Sequence, residues 1–143
     1  MNGIMENPDK KMGLLGIGLL VLGVFLPLVS LPFVGTVNYY FNGHGDGTMI
    51  LIIIPTALFS LVTSRYRLAI AHSIIAAVLC SHTLLNLLQV KNSDPMAQNL
   101  IQLNMGWLAL YGGIILLFLA GVRGYKYAQE AQLYIDKEKN SYE

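Results

Sequence analysis

Residues 32–48 read PFVGTVNYYFNGHGDGT, a polar, glycine-dense and aromatic stretch set between two long apolar runs. Val37 to Phe41 is β-branched and aromatic and suits an extended backbone. Asn42-Gly43, Gly45 and Gly47 are turn formers that tolerate positive φ. Asp46 and Thr48 each suit the N-cap of a following helix, where a carboxylate also complements the helix dipole. The stretch therefore reads as the connection between a first and a second helix.

On its N-terminal side, residues 13–34 carry no charge, and as a helix they would extend about 33 Å, enough for a bilayer core. A basic pair, Lys10 and Lys11, precedes this run as in a secretory signal. The apolar core is too long for one and no A-x-A-like site follows, so a retained span is expected. Pro27 and Pro32 lie in its outer third, where each removes a backbone donor and tends to kink or end a helix. Gly13, Gly16, Gly18 and Gly23 would let a neighbouring helix come close.

On the other side, a second span over about 48–64 holds Pro55 in its middle and ends at a basic turn, SRYR, residues 64–67. A third span covers 68–90. The segment KNSDPMAQNLIQLNM, residues 91–105, is a second connection. Within it Asp94-Pro95 reads as an N-cap followed by proline at the first helical position, so the fourth helix is expected from Pro95. Its apolar part spans 105–122. Trp107 and Tyr111 mark one end, and Arg123, Tyr125, Lys126 and Tyr127 the other, as an interfacial belt should. The expected organisation is a four-span membrane domain over 1–128 and a polar, helical cytoplasmic tail over 129–143.

Composition agrees: 55% of residues are hydrophobic and only 12% charged, against about 25% charged in soluble domains. A net charge of +1 gives no electrostatic footprint for nucleic acid. The single cysteine, Cys80, excludes an internal disulfide and reads as a small buried hydrophobe. Eight of the nine lysines and arginines fall in the N-terminal tail, the SRYR turn and the C-terminal tail, leaving Lys91 alone in the outer connections. Four spans with both termini in the cytoplasm satisfy the positive-inside rule. The expected fold class is thus all-α, an integral membrane four-helix bundle.

The NGHGDG loop after a proline-broken first span, together with IQLNMGW (101–107) leading into the last, resembles a group of small, uncharacterised bacterial four-span membrane proteins. Members show an NG-x-GDG loop and a Q-x-x-G-W segment, which this chain approaches with three residues between Gln102 and Gly106, and some carry a zinc ribbon, for which this chain lacks the cysteine pairs. The resemblance implies the same fold and a multi-pass place in a bacterial inner membrane. It implies no activity.

Three constellations are candidates for function. In the outer loop, Asn42, His44 and Asp46 alternate with glycines like the opening of a calcium loop. Only one is a carboxylate, and the twelfth position is Ile53 rather than glutamate; a compact turn with Asp46 as helix cap is the plainer reading, and no metal is expected. On the third span His82, Asn86 and Gln89 lie at i, i+4 and i+7 and so share a polar intramembrane face. His72 is ten residues from His82, about 80° around the axis. Either histidine could ligate haem or chlorophyll, the three polar residues could line a path, or they could simply bond neighbouring helices. Third, Ala69, Ser73, Ala77 and Ser81 form a small-xxx-small ladder for helix packing. Tyr39, Tyr40 and Phe41 read as interface anchors.

No P-loop, GxSxG, HExxH or paired carboxylates are present, and the spans lack Asp, Glu, Lys and Arg. A non-catalytic accessory or scaffolding subunit of a larger membrane assembly is therefore expected, with lipids and other membrane subunits as partners and no cofactor. A small oligomeric channel or transporter lined by His82, Asn86 and Gln89, and a haem- or chlorophyll-binding subunit, are the alternatives.

Overall fold

The computed structural model describes residues 7–31, 35–40, 45–93 and 100–140. Helix α1 runs Pro8–Phe25, with the Asn7 side chain accepting from the amides of Asp9 at 2.9 Å and Lys10 at 3.4 Å. Pro8 opens it with a φ already set for a helix and no amide to leave unpaired. Pro27 closes it: the proline pushes the residue before it out of the helical region, and Leu26 is extended at φ −69°, ψ 149°. The expected helix over 13–34 is therefore corrected. Beyond Phe25 the chain forms strand β1, Pro27–Leu31.

Strand β1 is the middle of a three-stranded antiparallel sheet in the order β2-β1-β3, with β2 at Gly35–Asn38 and β3 at Gln102–Leu103. Val29 pairs with Val37 on one side and with Leu103 on the other. The ladder to β2 is irregular between Pro27 and Val29, where proline has no N–H to give. β2 opens on Gly35 at φ +87°, a conformation natural only to glycine. Of the extended stretch expected over Val37 to Phe41, Val37 and Asn38 lie in this strand, the chain bends at Tyr39 and Tyr40, and Phe41 lies outside the described residues.

Helix α2 spans Gly47–Val62, α3 Tyr66–Ser93 and α4 Gly106–Asn140. A Cβ on Gly47 would lie 2.5 Å from the Tyr39 carbonyl oxygen, which instead accepts the Gly47 amide at 3.0 Å; this close approach is what demands glycine. The turn between α2 and α3 places Ser64 at φ 57°, and the Arg65 amide reaches back to the Ser60 carbonyl at 2.8 Å, satisfying an orphan carbonyl of the last turn. The residues Asp94-Pro95 lie outside the described ones, but a fourth helix continuous from Pro95 is corrected: strand β3 at Gln102–Leu103 intervenes and α4 begins at Gly106.

Each helix packs on the next, and α4 closes the ring on α1. The α1–α4 contact is backbone to backbone. A Cβ on Gly16 would stand 2.8 Å from the Gly113 carbonyl oxygen, and one on Gly113 would stand 2.6 Å from that of Gly16. Gly23 lies against Leu110 in the same way, whereas Gly18 has nothing within 4 Å. On α3 the buried line is Tyr66, Ala69, Ser73, Ala76 and Cys80, spaced by threes and fours as a helix seam requires. Ala77 and Ser81 of the expected ladder are half-buried at its edge. Leu20, Val24, Leu61, Leu110 and Leu117 fill the space between.

Two helices, α3 and α4, are long and apolar enough to cross a membrane; α2 is apolar but shorter. Only 22% of the apolar window of α3 is buried inside the protein. Its outward side carries Ile74, Ile75, Val78 and Leu85, and Leu15, Leu22, Ile52, Phe59, Leu108 and Ile115 are likewise exposed on the other helices.

Candidate functional site

The sheet sits at one end of the bundle, and beneath it lies a cavity of ≈ 610 Å³, within the range of small-molecule sites at about 300–1,000 Å³. Leu28, Val29 and Leu31 of β1 and Val37 of β2 form one wall. Thr83, Leu87 and Val90 of α3 form another, and Ile101, Trp107, Tyr39 and Asp46 complete it. The sheet positions this wall through the residues that lead into α4: the Asn104 amide donates to the Leu28 carbonyl at 2.9 Å, and Asn104 Nδ2 donates to Ser30 Oγ at 2.7 Å. A Cβ on Gly106 would strike Leu28 and the Pro27 carbonyl, so glycine lets α4 begin directly against the strand.

Three polar groups from distant parts of the chain meet at this cavity. Thr83 Oγ1 lies 2.5 Å from Asp46 Oδ2, 3.0 Å from the Tyr39 hydroxyl and 3.1 Å from the Leu79 carbonyl. An ionised carboxylate only accepts, so Thr83 gives its proton to Asp46 and receives that of Tyr39. The relay runs Tyr39 to Thr83 to Asp46. Burial pushes the Tyr39 phenol above its ordinary value of 10.0, opposed by its hydrogen bond to Thr83. Asp46 stands at the N-cap position of α2, but its side chain makes no capping hydrogen bond. The expected cap is thereby corrected: the carboxylate turns to α3 because Thr83 offers it a hydroxyl donor.

The aromatic side chains continue inward. The Tyr39 and Trp107 rings are 6.2 Å apart at 51°, Trp107 and Tyr111 are 6.4 Å apart, and the Tyr111 hydroxyl lies 3.1 Å from Ser81 Oγ. Trp107 is 7% exposed, and its Nε1 is the one buried side-chain polar atom without a hydrogen-bond partner among the described residues. Buried donors are paired in the great majority of cases, which makes this one informative.

Of the residues singled out in the sequence, Asn42 and His44 lie outside the described residues, and Asp46 joins the cavity. His82, Asn86 and Gln89 do not line it: all three are exposed, on the face of α3 turned away from the bundle. Asn86 Nδ2 lies 3.4 Å from each ring nitrogen of His82. His72, half-buried, places Nδ1 2.5 Å from the Leu68 carbonyl, so that nitrogen carries the proton. Among the described residues no three of His, Cys, Asp and Glu converge as a metal site. Thr83 and Trp107 escaped the sequence reading as site residues. Thr83 sits unmarked beside His82, and Trp107 reads equally well as part of an interfacial belt.

At the other end of the bundle the basic residues gather. Arg67 Nη2 donates to the Tyr125 hydroxyl at 2.5 Å while its guanidinium lies 4.9 Å from that ring's centroid, and Gln129 donates to the same hydroxyl at 2.8 Å. Lys10 Nζ reaches the Val62 carbonyl at 3.3 Å. Fold and site together define a helical bundle with a sheet-capped, mostly apolar end cavity. No known family, curated protein or solved structure matches the chain.

Proposed function

We propose that this is a four-span membrane protein with both termini in the cytoplasm, acting as a non-catalytic accessory subunit of a larger membrane assembly. The observation that carries the reading is the outward face of α3. His82, Asn86 and Gln89 are exposed there among Ile75, Val78 and Leu85, and among the described residues the histidine and asparagine have only each other as side-chain partners. Polar side chains facing hydrocarbon favour a neighbouring helix that can hydrogen-bond to them, worth about 0.6–2 kcal/mol each. The gathering of Lys10, Arg65, Arg67, Arg123 and Lys126 at the end opposite the sheet supports a cytoplasmic placement of that end, and a bacterial inner membrane as the location.

The test is native mass spectrometry of the endogenously tagged protein, extracted in mild detergent, beside a variant carrying His82→Leu, Asn86→Leu and Gln89→Leu. A stoichiometric complex with other subunits that the variant no longer enters, while its own fold persists, supports the reading. A monomer in both samples refutes it. A homo-oligomer lost in the variant moves the same face to a contact between copies, and liposome flux then decides whether that contact is a pore.

A further inference from the structure

We propose that the sheet-end cavity holds one lipid whose head group carries a protonated primary amine, with the ammonium on Asp46 and an apolar chain along Leu31, Val37, Leu87 and Val90. The inference rests on the membrane reading and not on the partner reading, since the partner face of α3 points elsewhere.

The lining decides the body of the ligand. Apart from Asp46, Asn38, Thr83, the hydroxyl of Tyr39 and the backbone at Gly45, the described residues of the wall give hydrocarbon and aromatic surface, which favours an apolar chain over a water-soluble solute. The charge decides the head. Among the described residues that line the cavity, Asp46 is the one that carries a charge. Its Oδ2 accepts from Thr83, and an ionised carboxylate has lone pairs for more than one donor. An anionic head group would meet that carboxylate with like charge. A primary ammonium brings three donors and a full positive charge, the pairing that gives the stronger class of hydrogen bond. A quaternary ammonium brings the charge without a donor, so it should hold less well.

A second observation concerns the same wall. Trp107 lines it, and its Nε1–H has no hydrogen-bond partner among the described residues. A plain hydrocarbon would leave the Asp46 carboxylate unanswered; an amine-headed lipid answers it. The shared chemistry, an apolar chain ending in a primary amine, also describes a free long-chain amine, so the experiment separates the two sources.

Trp107 is the single tryptophan of the chain, so its fluorescence reports on the cavity directly. The full chain is placed in bilayer discs of phosphatidylglycerol, into which phosphatidylethanolamine, phosphatidylcholine or dodecylamine is titrated. Lipid retained after delipidation is weighed by native mass spectrometry. Expected is a saturable emission shift with phosphatidylethanolamine and its retention over phosphatidylglycerol by about tenfold, as one charge-assisted bond of roughly 1.5 kcal/mol implies. Phosphatidylcholine should fall between. Asp46→Asn, which keeps an acceptor for Thr83, should bring the three lipids to parity, and Val37→Phe, which fills the cavity, should reduce retention of all three. A response to dodecylamine alone assigns the site to a free amine in place of the lipid. Equal retention of all head groups, a preference that survives in D46N, or retention unchanged in V37F overturns the proposal. A chain that stays out of the discs refutes the membrane reading and the lipid with it.

Discussion

The carboxylate of Asp46 accepts a hydrogen bond from Thr83 on α3, 37 residues further along the chain, and not from the helix it precedes. One contact thus ties the start of α2 to the middle of α3, and through Tyr39 to the end of the sheet. Thr83→Val keeps the shape and removes the hydroxyl. Tyr39, 3% exposed, then loses its hydrogen bond to Thr83, at about 1–3 kcal/mol for a buried hydroxyl. Denaturant unfolding in detergent should show that loss. In the Tyr39→Phe background the same Thr83 substitution should cost measurably less, because the groups are coupled; full additivity would refute the relay.

Alkaline pH should weaken the fold through Tyr39. Its folded pKa is raised by burial above 10.0, so above that value the unfolded chain gives up the phenolic proton while the folded one keeps it. Stability from this group is complete below pH 10 and declines as pH rises further. Unfolding free energies measured from pH 8 to 11 should fall less steeply in Tyr39→Phe than in the natural chain. Parallel profiles would exclude the effect.

The α1–α4 seam should be far less tolerant than its sequence suggests. Gly113→Leu pushes a side chain into the Gly16 backbone and Leu20, and overpacking of this kind costs about 1–3 kcal/mol or more. Gly18→Ala, in open space on α1, should stabilise by about 0.5–1 kcal/mol through the lost freedom of glycine. Equal behaviour of the two variants in thermal unfolding would contradict the packing described.

Trp107→Phe removes a buried donor that has no partner among the described residues, so it should leave thermal stability in lipid-free detergent unchanged or raise it slightly. A drop of several degrees there would mean that Nε1 does pair within the protein.

Arg67→Ala should change little by comparison. The guanidinium on Tyr125 is exposed, and such a cation–π contact at the surface is worth about 0.5–1 kcal/mol. Its absence should be visible in the mobility of the α4 tail by hydrogen exchange before it is visible in unfolding.

The apolar runs of the sequence mark out helices because uncharged stretches of that length leave few alternatives, and the starts of α2 and α3 fall within two residues of their expected positions. The first run misled for a physical reason. Hydrophobicity alone does not separate a buried strand from the last turns of a helix, and in Pro27–Leu31 the proline, not the hydropathy, decides. The sheet was half legible: Val37 has strand chemistry, but nothing local in Gln102–Leu103 marks it as the partner of Val29 and Ser30. The cavity was least legible. Asp46 was visible as a polar residue at a helix start, yet its actual partner, Thr83, is an ordinary threonine until the chain is folded. His82, Asn86 and Gln89 do share a face, as helical spacing dictates; spacing could not say that the face turns outward.

The sheet also sets an order in time. β1 and β2 are separated by a few residues and can pair as soon as residue 38 has been made, whereas β3 cannot arrive until α2 and α3 have both been synthesised. Until then one edge of β1 has no strand beside it, and such an edge pairs readily with other chains. The clasp closes late because its contacts span the greatest distance in sequence. A ribosome stalled just past Ser93 would therefore present a hairpin with its second edge still open, the point in biogenesis at which this protein most needs shielding.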